Sequence, residues 1–133
     1  MSKQNNDKTI SALEEDLLTP LSNKRTLYGL QFVDAFREAS GGKRELGLGS
    51  LYPTLARLEK EGLVNWHWGD ELVGARRKYY EITAYGEKAL RERNEFRENL
   101  RKYSDSTESE TLDVEAQSVE KDNKPVQLAF SRK

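Results

Sequence analysis

The sequence has no cysteine and a single histidine, His67. Without thiols there is no disulfide framework and no thiolate metal or redox site, and a reducing compartment fits best. The histidine has no second metal ligand and no phosphate-cradling glycine loop beside it, so the usual catalytic constellations are missing. We therefore expect no enzyme, no metal site and no cofactor, and we interpret His67, which lies between two tryptophans, as a packing or surface residue.

Long apolar runs are also missing. No stretch of about 18 apolar residues occurs, which disfavours a membrane span, and the segment 1–8 has no apolar core of a signal peptide behind it. The length of 133 residues suits one ordinary domain. We predict a soluble, cytoplasmic protein with no membrane partner.

Acidic residues are concentrated at one end of the chain. The net charge is −1, with 34% charged residues and a mean hydropathy of −0.88. Residues 104–133 hold seven acids and four bases, a net charge of −3, which leaves +2 on residues 1–103. Such a polar segment cannot bury enough apolar surface to fold. We predict a flexible arm over 1–8, a folded domain over 9–103 and an acidic, disordered tail over 104–133.

Two helices are predicted before residue 40. Apolar residues recur at helical spacing over 9–18, where Thr9 or Ser11 can cap the helix and Pro20 can end it. A second helix is predicted over about 26–39 by a broad apolar side, and a Ser-Gly-Gly sequence ends it.

A third helix is marked by Leu51, Leu55 and Leu58, which recur at intervals of four and three and predict an inward face. The helix should close at Gly62. Pro53 is expected in its first turn or so, because deeper in a helix a proline removes a hydrogen bond and clashes with the preceding turn.

The hydrophobic period changes from helical to strand-like after this helix. Segments 63–68 and 78–82 are rich in aromatic and β-branched residues and are joined by a glycine-containing connection, which predicts a hairpin. Thr83 can cap a long charged helix over 84–103. The order helix, helix, helix, hairpin, helix predicts a mainly α fold with a small β-hairpin, a winged helix-turn-helix with flanking N- and C-terminal dimerisation helices.

In such a fold the third helix lies in the major groove of double-stranded DNA. Ser50, Tyr52 and Thr54 are expected to face outward and to donate hydroxyl hydrogen bonds to phosphates near the helix N-terminus. Arg57 is the one residue of this face able to bind a guanine edge with two hydrogen bonds. The alternative is that Arg57 is a solvated helix residue and Tyr52 a core aromatic.

Basic residues flank the third helix on both sides. Arg76, Arg77 and Lys78 enter the second strand of the hairpin, where they can neutralise phosphates and release counterions. Lys43 and Arg44, just before the third helix, suggest the same role more weakly.

Two separate motifs carry a family resemblance. The sequence LYPTLARLEKEGLV over 51–64, followed by RRKYYEIT over 76–83 and Gly86, resembles the PadR family of bacterial transcriptional regulators. The resemblance covers about residues 26–90. It implies a winged-helix repressor that dimerises through its terminal helices and binds a partly palindromic promoter site. Tyr52 and its neighbours would then take the recognition-helix contacts, and the three wing bases the wing contacts.

The chain departs from the family pattern in places. One helix follows the hairpin, which is similar to the short type that lacks a long helical effector domain. The Gly-Tyr pair usual near the start of the second helix is reversed here, as Tyr28-Gly29. The added N-terminal helix and the small size are also similar to a PadR-like modifier of the cyanobacterial circadian period.

A homodimer is expected because two recognition helices related by a twofold axis contact half-sites one DNA turn apart, whereas one helix contacts only a few base pairs. The last helix offers more apolar surface than a solvated terminal helix needs. The predicted interface comprises Leu13, Leu17, Ala89, Phe96, Leu100 and Tyr103.

Two alternatives stay open at this point. The acidic tail and the modest body charge favour a winged helix that contacts another protein, and the tail could compete with DNA for the wing. Trp66 and Trp68 share one face of the first hairpin strand and could hold a flat aromatic effector, although no ligand is indicated.

Overall fold

The computed structural model describes residues 8–106. Residues 1–7 of the arm predicted over 1–8 and residues 107–133 of the tail predicted over 104–133 lie outside the described residues. Residues 8–94 form one compact unit, and residues 95–106, the end of the last helix, belong to a second unit. The elements are helices α1 (Ala12–Leu18), α2 (Gly29–Ala39), α3 (Leu48–Lys60) and α4 (Ala84–Ser106), a 3-10 helix (Thr19–Leu21), and strands β1 (Val64–Trp68) and β2 (Lys78–Ile82).

Helix α1 begins three residues later than predicted because Ser11, and not Thr9, is its cap. The Ser11 hydroxyl accepts the Glu14 N–H at 3.1 Å, and the Glu14 carboxylate accepts the Ser11 N–H at 2.8 Å. The α-helix ends at Leu18, as predicted, and Pro20 lies just beyond it in the short 3-10 helix that continues α1. A proline in the first turn of a helix sacrifices no hydrogen bond, which makes this position tolerable.

Helix α2 begins at Gly29 and not near residue 26, because the chain just before it is extended. Leu27 and Tyr80 exchange two backbone hydrogen bonds, at 3.1 and 2.8 Å. Leu27 therefore forms an isolated β-bridge to the free edge of β2. The predicted end of α2 is confirmed: Gly41 and Gly42 follow it with positive φ angles of 66° and 85°.

Helix α3 begins at Leu48, well before the first leucine of its inward stripe. Pro53 therefore lies in the second turn, not the first, and donates no hydrogen bond to the Gly49 carbonyl one turn earlier. The predicted end is confirmed at Gly62, whose φ is 82°, with the Leu63 N–H donating to the Leu58 carbonyl at 2.8 Å.

A leucine-rich core joins all these elements within residues 8–94. Phe32 and Tyr80, two aromatic residues of this core, pack edge to face with 6.3 Å between their ring centroids. The fully buried large side chains are Ile10, Leu17, Leu18, Leu21, Phe32, Leu51, Leu55, Leu58, Leu63 and Val64.

The predicted hairpin is confirmed. Strands β1 and β2 pair antiparallel, from Val64 opposite Ile82 to Trp68 opposite Lys78. Thr83 then caps α4 as predicted, because its hydroxyl accepts the Gly86 N–H at 2.9 Å. Helix α4 runs three residues beyond the predicted end, to Ser106. The predicted fold class, mainly α with a small hairpin, is confirmed. Among residues 8–106 no helix combines the length and apolarity needed to cross a membrane.

Gly86 fixes how closely α4 approaches the chain after α3. A Cβ at this position would overlap the Leu63 carbonyl oxygen and crowd the Ile82 side chain. Gly86→Ala should lower the free energy of unfolding by about 1–3 kcal/mol, because a backbone atom must move to make room.

The control is Gly49→Ala in α3, where a Cβ meets nothing within 4 Å. Alanine is the better helix former, so this variant should gain about 0.5–1 kcal/mol. Urea unfolding measures both, and equal stability of the two variants would contradict the packing argument.

Candidate nucleic-acid interface

Helix α3 has a buried side and an open side. Thr54 was expected to face outward, but its side chain is only 4% exposed. The reason is its spacing: it lies three residues after Leu51 and four before Leu58, both fully buried, so it points with them into the core. The prediction of Thr54 as a DNA contact is therefore wrong.

The middle of the open side carries small and apolar residues. Gly49, Pro53 and Ala56 follow one another at intervals of four and three, and all three are exposed. We call these three residues the α3 outer strip. Such a surface lets a helix backbone come close to whatever it contacts.

Ser50 and Tyr52 flank the outer strip. Ser50 is exposed as predicted, and Tyr52 is 45% exposed, so it is not a core aromatic. The Tyr52 ring lies over Gly29 at the start of α2, where a Cβ would overlap the tyrosine hydroxyl. This contact of Gly29 was not predicted, and its only signal in the sequence is the unusual Tyr28-Gly29 order.

Arg57 is committed to a partner inside the protein. Its Nε donates to Oε2 of Glu14 at 3.1 Å, and the Glu14 residue is 2% exposed. Moving the guanidinium to DNA would leave a buried carboxylate without this partner, which is costly. Arg57 is exposed, as expected, with 47% of its side chain accessible, but its guanidinium pairs with Glu14 on the flank of α3 that packs on α1. Its contact with guanine stays a prediction.

Several donors hold Glu14 in its ionised form. Lys8 Nζ lies 3.7 Å from Glu14 Oε1 and 3.0 Å from a carboxylate oxygen of Glu61. Burial alone raises the pKa of Glu14, but the hydrogen bonds from Ser11 and Arg57 and the charges of Lys8 and Arg57 hold that pKa below its ordinary value. The charged pair is therefore the native state at neutral pH.

The three predicted wing bases each lie over an aromatic ring. Arg77 is 4.5 Å from the Tyr28 ring centroid, and Lys78 is 4.1 Å from the Trp66 centroid. Arg76 is 5.6 Å from the centroid of Trp68. Cation–π contacts of this kind orient the charged groups without neutralising them. Arg77 Nη1 also lies 3.6 Å from a Glu71 carboxylate oxygen, so an anionic partner has to compete with Glu71 for this base.

Glu71 braces the loop between the two strands. Its carboxylate accepts the Tyr79 hydroxyl at 2.6 Å and the Arg77 N–H at 3.3 Å. The hydrogen bond from Tyr79 holds the pKa of Glu71 below its ordinary value. His67 stacks on Tyr79 with 5.9 Å between ring centroids and is exposed, as a surface residue was expected to be.

The hairpin is tied to α3 by a side-chain hydrogen bond. The Trp66 indole N–H donates to a Glu59 carboxylate oxygen at 2.8 Å. Trp66 and Trp68 pack edge to face at 5.2 Å, with Lys78 over the first ring and Arg76 over the second. One face of each ring, which a flat ligand would need, is therefore covered by a side chain of the protein.

The two bases ahead of α3 differ in their surroundings. Lys43 is exposed. Arg44 lies 4.8 Å from the Phe36 ring centroid and pairs with Asp16 at 3.1 Å. Since this pair is largely exposed, it holds Arg44 only weakly.

The predicted dimer residues fall into two groups. Within residues 8–94, Leu17 is fully buried and Ala89 is 3% exposed, so neither presents a surface to a partner, and both predictions are corrected. They were misassigned because apolar residues at helical spacing show that a helix face is buried, but not whether the same chain or a second copy packs against it. Leu13 packs against the same core and is partly buried.

In the second unit the large apolar residues of α4 are exposed. Phe96, Leu100 and Tyr103 are 55%, 52% and 66% exposed and share one helix face by their spacing of four and three. They form the C-terminal stripe of α4.

These features define a winged-helix protein of the DNA-binding class: three packed helices, an exposed face on the third, and a hairpin whose basic side chains lie over aromatic rings. The model of the transcriptional regulator PadR-like family matches residues 17–92, and the chain belongs to this family. Its members are transcriptional regulators rather than enzymes.

Solved structures agree with this assignment. The chain is 29% identical to a PadR-like transcription factor from Bacteroides fragilis, with a TM-score of 0.63 over 71% of this chain and 87% of that one. A transcriptional regulator from Clostridium thermocellum is 28% identical, with a TM-score of 0.61 over 71% and 90% of the two chains. PadR from Bacillus subtilis, solved with its operator DNA, shares the fold at 24% identity and a TM-score of 0.55, over 62% of this chain and 46% of that one.

The ion pair between Arg57 and Glu14 should be visible in stability measurements. Arg57→Met keeps the alkyl chain but removes the donor, and should lower the free energy of unfolding at neutral pH by about 1–3 kcal/mol.

The pH dependence follows from the lowered pKa of Glu14. The stabilisation is complete above the unfolded value of about 4.3 and is lost as the pH falls through the folded value. Between about pH 5 and about pH 3, Glu14→Gln should therefore lose less stability than the native chain in urea unfolding. The exposed Glu38→Gln serves as control, and identical profiles for Glu14→Gln and the native chain would refute the assignment.

Proposed function

We propose that this protein is a sequence-specific DNA-binding repressor that acts as a homodimer on a pseudo-palindromic promoter site. The observation that carries the proposal is the linkage of α3 to the wing through Trp66 and Glu59, beside three oriented bases. Helix α3 lies in the major groove, and Arg76, Arg77 and Lys78 contact the flanking backbone.

The contacts divide by chemistry. The wing bases and Lys43 bind phosphates through charge, and Ser50 and Tyr52 donate hydroxyl hydrogen bonds beside the α3 N-terminus. Arg44 adds a weaker contact, because it exchanges Asp16 for a phosphate. The operator DNA bound by PadR of Bacillus subtilis, which has the same fold, supports this partner.

A second copy of the chain binds through the C-terminal stripe of α4. Phe96, Leu100 and Tyr103 present an apolar face whose burial in a symmetric helix pair is favourable. Two copies place two α3 helices on half-sites about one DNA turn apart. Such a regulator works where the DNA lies, in the cytoplasm; repression and circadian timing are predictions from the family resemblance.

The wing contact predicts a salt-dependent effect. Arg77→Ala should weaken binding to a fragment of the protein's own upstream region and reduce the slope of log affinity against log salt by about 1, because one phosphate contact is lost. Electrophoretic mobility shifts at several salt concentrations measure this. Arg91→Ala, which changes an exposed base of α4, should keep the native slope. An unchanged slope for Arg77→Ala would remove the wing from the interface.

The dimer contact predicts a change of mass. Phe96→Asp and Leu100→Asp each place a charge within the proposed apolar interface, where it would be desolvated, and should yield monomers in light scattering. Asn94→Asp, an exposed and nearly isosteric change on the same helix, should stay dimeric. Native-like dimers of both stripe variants would rule out this interface.

A further inference from the structure

Nothing among residues 8–106 requires a glycine at position 49. A Cβ there would meet nothing within 4 Å, and its φ is not in the left-handed region. Within a helix a glycine costs stability relative to alanine. The missing side chain therefore fits close approach to something outside the described residues, and Gly49 lies on the α3 outer strip.

The outer strip also lacks the side chains that bind base edges by hydrogen bonds. Helix α3 contains no Asn or Gln, and its one arginine, Arg57, is held by the buried Glu14 on the flank of the helix. Its one acid, Glu59, accepts the Trp66 indole N–H. Lys60 lies in the last turn, whereas the N-terminal residues of a recognition helix contact the bases.

We propose that α3 recognises thymine through its 5-methyl group, with Ala56 and Pro53 as the contacting side chains and Gly49 as the point of closest approach. This inference rests on the proposed function. Apolar contact with the thymine methyl is the form of base recognition open to such a surface, because guanine, adenine and cytosine present hydrogen-bonding groups that call for Arg or Lys, Asn or Gln, and Asp or Glu.

The test compares two versions of one DNA fragment. A fragment that the full-length protein selects from a random-sequence pool is synthesised with thymidine or with deoxyuridine, which differs only by the missing methyl. The native protein should bind the uracil fragment about fourfold more weakly for each contacted methyl, the factor expected from burying one such group.

The protein methyl of the same contact, that of Ala56, can also be removed. Ala56→Gly should shrink the thymine-to-uracil affinity ratio by about fourfold, because one of the paired methyls is gone. An exposed position outside α3 provides the control: Asn94→Gly should leave the ratio unchanged. A native ratio near one, or a ratio unaltered by Ala56→Gly, would overturn the proposal.

Gly49→Ala separates folding from recognition. It should raise the melting temperature, because the helix gains alanine at no steric cost, and yet weaken DNA binding by tenfold or more, because the new methyl blocks close approach. Asn94→Ala should leave binding unchanged. Full DNA affinity of Gly49→Ala would overturn the close-approach assignment.

A third fragment, with 7-deazaguanine in place of guanine, tests the competing form of recognition. Loss of the N7 acceptor should have little effect on the native protein. Weakening of tenfold or more on this fragment, with none on the uracil fragment, would show guanine recognition and overturn the inference. If the protein selects no fragment from the pool, the proposed function itself fails.

Discussion

The buried carboxylate of Glu14 is the constraint on which the geometry of the interface depends. Taking an ionised carboxylate out of water costs several kcal/mol unless donors surround it. Here Ser11, Arg57 and Lys8 supply them, from the helix cap, from α3 and from the chain before α1. Because this group must stay paired, α1 is held on one flank of α3, and the guanidinium of the partly exposed Arg57 is occupied by Glu14 beside the outer strip.

The neighbouring carboxylate makes a matching connection to α4. Glu15 accepts a hydrogen bond from Arg93 at 3.1 Å, and Arg93 also donates to the Ile10 carbonyl at 3.2 Å. A helix of seven residues such as α1 has little stability of its own. Its order therefore depends on its core contacts and on these pairs, which join α3 and α4 through one short element.

Sequence patterns predicted the elements well because periodicity and caps are local. The hairpin, the Thr83 cap and the Gly62 end all follow from neighbouring residues. The burial of Thr54 was also readable locally, from its spacing to Leu51 and Leu58. What the sequence could not show were partners far away along the chain. Glu14 and Arg57 are 43 residues apart, and nothing near Arg57 announces a buried carboxylate. Leu17 was assigned to a dimer interface for the same reason. The sequence showed that it belongs to the apolar face of α1, but not that the core of the same chain buries this face.

The packing of the basic wing side chains on aromatic rings explains how a chain of modest net charge can still bind a polyanion. Residues 1–103 carry a net charge of only +2, so attraction at a distance is weak. Arg77 and Lys78, however, lie over aromatic rings and are partly ordered before any partner arrives. Long basic side chains lose rotamer freedom on binding, at about 0.5–1.5 kcal/mol each, and this loss is smaller when they are held in place. In the proposed DNA complex, the placement of a few charges, rather than their number, therefore carries the affinity, and base selection is left to the uncharged outer strip of α3.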